Sequence, residues 1–90
     1  MYSIIQDMGK HDKTLLAIFT DPVLANIKWR DVESLVKHLG ATIKQGRGSR
    51  VHITLNGVRA TFHRPHPSPA TKKSTVQAVR EFLTDARISP

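Results

Sequence analysis

Apolar residues recur at helical spacing in three stretches of the chain and alternate with polar ones between the second and the third, so the change of period marks the expected elements. Leu15, Leu16, Ile18 and Phe19 predict a first helix over residues 12–20, with Asp12 as its cap and Asp21-Pro22 as its stop. Trp29, Val32, Leu35, Val36 and Leu39 fall at i, i+3, i+6, i+7 and i+10, which predicts a second helix over residues 29–39 closed by Gly40. Val76, Val79, Phe82, Leu83 and Ala86 repeat the pattern over residues 75–86, opened by Ser74 and Gln77 at capping-box spacing.

Between the last two helices the period is two, and Asn56-Gly57 is the favoured pair for a two-residue type I′ hairpin loop. With those residues as the loop, Leu55 faces Val58, Ile53 faces Ala60 and Val51 faces Phe62, so one face of the hairpin is apolar. The opposite face carries Arg50, His52, Thr54, Arg59, Thr61 and His63. A strand over residues 41–45 joins the sheet through the Gly46-Arg47-Gly48 turn, and Pro65, Pro67 and Pro69 end it. The expected fold is an α+β two-layer sandwich: a three-stranded antiparallel sheet with helices on one face, plus an N-terminal helix. Its α-β-β-β-α core has the outline of the double-stranded-RNA-binding fold, which by itself assigns no function.

At 90 residues and 39% hydrophobic, the chain fits one small domain with a thin core, and its chemistry is expected on an open face. The absence of cysteine excludes disulfides, zinc fingers, iron–sulfur clusters and thiol nucleophiles. Residues 1–10 carry Ile4 and Ile5 but no basic leader, and no run approaches the roughly 18 apolar residues of a membrane span. A soluble, unprocessed, cytoplasmic protein with no membrane partner is expected.

Charge narrows the partner. Fourteen Lys and Arg against seven Asp and Glu give a net +7, and the two signs are segregated. The acids are Asp7, Asp12, Asp21, Asp31, Glu33, Glu81 and Asp85; none lies between residues 34 and 80, a stretch holding Lys37, Lys44, Arg47, Arg50, Arg59, Arg64, Lys72, Lys73 and Arg80. A one-sign field of this kind attracts the phosphates of nucleic acid.

The polar sheet face suggests a chemistry. An imidazole accepts protons near neutral pH, so a histidine among arginines can deprotonate a ribose 2′-hydroxyl while the guanidinium groups hold the phosphate it attacks. Neither a metal nor a carboxylate is required. The same residues also suit a strand face that only binds phosphate. His63 and His66 have no Cys, Asp or Glu near them in sequence to complete a metal site, so no metal is expected. His52-Ile53-Thr54 is a single His-x-Thr element where two-histidine phosphoesterases need two. Gly46-Arg47-Gly48-Ser49 reads as a turn that can also offer backbone amides to a phosphate. Trp29 sits on the apolar stripe of its helix and reads as core, and His38 complements the dipole at that helix's C-terminus.

A helix ending in Leu39-Gly40, a strand, a Gly48-Ser49 turn, a hairpin, a His-Pro segment and a last helix opened by Lys73-Ser74-Thr75 together resemble the HicA toxins of bacterial toxin–antitoxin systems, over residues 29–88. The resemblance implies a domain at residues 29–90 that cleaves mRNA without a metal or small-molecule cofactor and is silenced by a HicB-like antitoxin. Residues 1–28 form an N-terminal extension with one helix. The family places its catalytic histidine directly after Gly-Ser, where this chain has Arg50. His63 and His52 lie on the same strand face and are the candidate catalytic bases. Arg47, Gly48, Ser49, Arg50, Arg59, Arg64, Lys72 and Lys73 are the candidate RNA contacts. The alternative is an RNA-binding module, or an antitoxin-binding domain, that has lost the catalytic histidine.

Overall fold

The structure is a computed structural model that describes residues 8–90; Ile4, Ile5 and Asp7 of the expected N-terminal segment lie outside the described residues. The elements run α1 (Lys10–Ile18), α2 (Trp29–His38), β1 (Thr42–Gln45), β2 (Arg50–Leu55), β3 (Val58–His63) and α3 (Lys73–Asp85). The sheet is antiparallel in the order β1-β2-β3. This is the expected α+β fold with a double-stranded-RNA-binding-type core. No helix among the described residues is long and apolar enough to cross a membrane.

The hairpin forms in the expected register, with Arg50 opposite His63 and Leu55 opposite Val58. Asn56 (φ 50) and Gly57 (φ 81) both take the left-handed region that a type I′ loop requires. Alternation then sends Val51, Ile53, Leu55 and Phe62 inward, and all four are buried. They meet Trp29, Val32, Leu35 and Val36 of α2 and Val76, Val79, Phe82 and Leu83 of α3 in one core. Within it the Phe62 ring lies 5.8 Å from that of Trp29 and 5.8 Å, edge-on, from that of Phe82. The hairpin tip is pinned as well, since Asn56 Nδ2 donates to the Ala86 carbonyl at 2.8 Å.

The helix ends differ from the sequence expectation. α1 starts at Lys10 with Gly9 as its cap, and Asp12 stands inside the first turn, where its carboxylate accepts from the Gly9 amide at 3.2 Å. Its inward face is Thr14 and Ile18, whereas Leu16 is 41% exposed. α3 starts at Lys73 behind Lys72, with no side-chain cap, so Ser74 and Gln77 make no capping box. The cause is tertiary. Trp29 N donates to Pro69 O and Thr71 N to Ile27 O, and this short pairing of residues 69–71 with 27–29 fixes where α3 begins.

Residues 8–28 share the core through Ile18 and Ile27. The C-terminal carbonyls of α1 are met by a side chain of α3: Arg80 Nε donates to Ile18 O at 3.0 Å and Nη2 to Thr20 O at 2.9 Å, while Nη1 pairs with Asp21. Beside α1, His11 stacks on His38 of α2 with ring centroids 4.3 Å apart.

Candidate nucleic-acid interface

The outward sheet face is built by the same alternation that builds the core. Arg50, Thr54, Arg59, Thr61 and His63 are exposed and His52 is half-buried. β1 widens this face beyond the hairpin, because Lys44 lies opposite His52 and Thr42 opposite Thr54. Lys44 was readable from the sequence by extending the period-two alternation into β1. Among the described residues, no carboxylate belongs to this face. The nearest acid in sequence to β1, Glu33, is committed elsewhere.

The two histidines have different surroundings. His52 sits at the middle of β2, its Nδ1 bonded to Thr61 Oγ1 at 2.8 Å, and its ring fills the space over Gly46, where an added Cβ would come within 2.8 Å of Nε2. Both ring nitrogens are therefore close to protein. His63 ends β3, is exposed, and has Nδ1 3.4 Å from Ser49 Oγ. It also lines an open groove of about 710 Å³ together with Ser49, His66, Lys72, Ser74 and Thr75. The first turn of α3 thus borders His63, with no side-chain cap on its amides.

The predicted contacts divide accordingly. Arg47, Gly48 and Ser49 form the exposed β1–β2 loop, with Gly48 at φ 59, and Arg50 lies directly opposite His63. Lys72 lines the groove, whereas Lys73 is exposed on α3 outside its lining. Arg59 stands four residues from His63 on β3, about 13 Å along the strand, and so belongs to the distal sheet face. Arg64 is occupied: its Nε donates to Glu33 Oε2 at 2.7 Å, Nη2 to Glu33 Oε1 at 3.2 Å, and Nη1 to Gln45 Oε1. His66, Ser74 and Thr75 were not assigned to the site from sequence; they join it because the 69–71 segment folds back on residues 27–29.

Burial alone would raise the pKa of Glu33, but hydrogen bonds from Arg64 and from Trp29 Nε1, with the Arg64 charge, outweigh it and hold the carboxyl below its ordinary value. A carboxyl depressed on folding stabilises the fold fully above its unfolded pKa of about 4.3, and the contribution is lost as pH falls through the lower folded value. Urea midpoints measured from pH 5 down to pH 3 are expected to fall more steeply for the wild type than for Glu33→Gln. Parallel slopes would remove Glu33 from the acid response.

A basic, cysteine-free domain with an α-β-β-β-α core and a carboxylate-free polar sheet face defines a class of small protein suited to polyanion contact. Comparison with protein families makes the assignment specific: the model of the HicA toxin of bacterial toxin–antitoxin systems matches residues 29–88. The chain belongs to the HicA toxin family and is a toxin of a toxin–antitoxin system, with an antitoxin as its partner. Neither the curated proteins nor the solved structures gave a match.

Proposed function

We propose that this toxin is an endoribonuclease that cleaves mRNA in the cytoplasm, with His63 as general base, and that a HicB-type antitoxin covers the same face. The observation that carries the reading is the position of His63: exposed, at the lip of the groove, beside Ser49 Oγ and opposite Arg50. When Nδ1–H donates to Ser49 Oγ, the free lone pair lies on Nε2, the tautomer that accepts a proton. Nε2 takes the proton of a ribose 2′-hydroxyl as its oxygen attacks the adjacent phosphorus. The 5′-oxygen leaves and is protonated by solvent, giving a 2′,3′-cyclic phosphate and a 5′-hydroxyl. Arg50, Arg47 and Lys72 supply positive charge to the phosphoryl oxygens, while Lys44 and Arg59 hold flanking phosphates on the sheet face.

The purified protein incubated with mRNA and EDTA is expected to yield fragments ending in 2′,3′-cyclic phosphate. Salt-sensitive RNA binding with no cleavage would instead make the chain a binding module. Antitoxin binding with negligible RNA affinity would make it a protein-docking domain.

A further inference from the structure

Four side chains link the core to the β1–β2 loop without a gap. Trp29 Nε1, from the first residue of α2, donates to Glu33 Oε2, and the same carboxylate takes two bonds from Arg64. Arg64 Nη1 donates to Gln45 Oε1 at the end of β1. The amide nitrogen of Gln45 then faces three carbonyls: Gly46 at 3.2 Å and Gly48 at 3.0 Å in the loop, and Arg50 at 3.2 Å where β2 begins. Arg64 also reaches the loop through its main chain, donating from N to Ser49 O at 2.8 Å.

An isolated surface ion pair contributes little, since two mobile side chains must be held together against solvent. This pair differs in being half-buried and in having its outer member passed on to an amide that is itself bonded. Its anchor, Trp29, is 5% exposed and packed on Phe62. The linkage therefore has a rigid end in the core and its other end in the loop that carries Arg47 and Ser49 and leads into Arg50 of β2. Arg64 follows His63 in the chain, so the residue that clasps the loop is bonded directly to the proposed base.

We propose that Glu33, Arg64 and Gln45 form a positioning relay that fixes the β1–β2 loop against His63, with Gln45 as the residue that sets the loop's conformation. The three are positioning residues, and none needs to touch RNA. The inference deepens the ribonuclease reading and rests on it for the effect on turnover, but the ordering of the loop stands apart from it.

Gln45→Glu separates the two ends of the relay: a carboxylate still accepts from Arg64, but it has no donor for the three carbonyls and repels them. Gln45→Leu removes both ends. Amide hydrogen exchange is expected to rise about tenfold or more at Gly46 and Arg50 in both variants and to stay unchanged at Ile53. RNA turnover is expected to fall about tenfold in kcat in both variants, with KM little altered in the uncharged Gln45→Leu, because there phosphate binding is retained and the Ser49–His63 geometry is lost. Exchange at Gly46 and Arg50 within about twofold of wild type in both variants would overturn the relay. Loosened amides with unchanged kcat would overturn its role at the site. If the wild type cleaves no RNA, the ribonuclease reading fails and the exchange comparison alone decides whether Gln45 orders the loop.

Discussion

His63→Ala is expected to lower RNA cleavage by about a hundredfold to ten-thousandfold, the range a general base contributes, without unfolding the protein. His63 is exposed at the end of β3 and its ring packs on no core residue, so truncation leaves the apolar layer untouched. His52→Ala is the informative control. That imidazole is bonded to Thr61 and closed in by Gly46, and its removal is expected to cost less than about tenfold in turnover. Counting 2′,3′-cyclic phosphate ends in matched digests, with circular dichroism to verify folding, distinguishes the two. A large loss in His52→Ala with normal turnover in His63→Ala would reverse the assignment and move the reacting phosphate to the middle of the sheet face. In cells the same order should hold, with growth arrest relieved by the His63 substitution.

Phe82→Ala is expected to destabilise the fold by about 3–5 kcal/mol, the usual cost of emptying a buried phenyl site. Phe82 is 4% exposed and meets Phe62 edge-on, and Phe62 in turn packs on Trp29, so one ring supports the contact between α3, the sheet and α2. Small domains are stable by only about 5–15 kcal/mol, so the variant should melt about 15 °C or more below wild type and lose toxicity with every polar site residue intact. Phe82→Leu, which keeps most of the volume, should lose only about 1–1.5 kcal/mol and still fold. Urea denaturation of both variants measures the difference. A loss below about 1 kcal/mol for the alanine variant would mean that the aromatic row is not the keystone of the core.

Where chemistry is local, the sequence was enough to place residues. Asn56-Gly57 dictates the I′ loop, the loop dictates the register, and the register puts Arg50 across from His63. Helix interiors followed from the same logic, since Trp29, Val32, Leu35 and Val36 could face only one way. Helix ends did not. Asp12 stands inside α1 and bonds back to Gly9, a choice between two local partners, and whether Ser74 opens α3 depends on how residues 69–71 pair with 27–29, a contact across some forty positions that no local pattern encodes. The same holds for Arg64. In sequence it is one more arginine in a basic stretch; in space Glu33 of α2 reaches it and pairs with its guanidinium. His66 joins the groove for a similar reason, through the path of the proline-rich segment rather than through any motif of its own.

Arg80 ties the end of α1 to the presence of α3. The guanidinium that closes the end of α1 lies 62 residues beyond the Ile18 carbonyl it satisfies. Among the described elements α1 precedes α3 in the chain, so its last carbonyl gains this donor only once α3 has been made. The first of the described helices is thus completed by the last, and a chain interrupted before α3 carries His63, Arg47 and Arg50 without one of the helices that cover the sheet. A chain cut before α3 is therefore expected to show no RNA cleavage, even with His63, Arg47 and Arg50 all present.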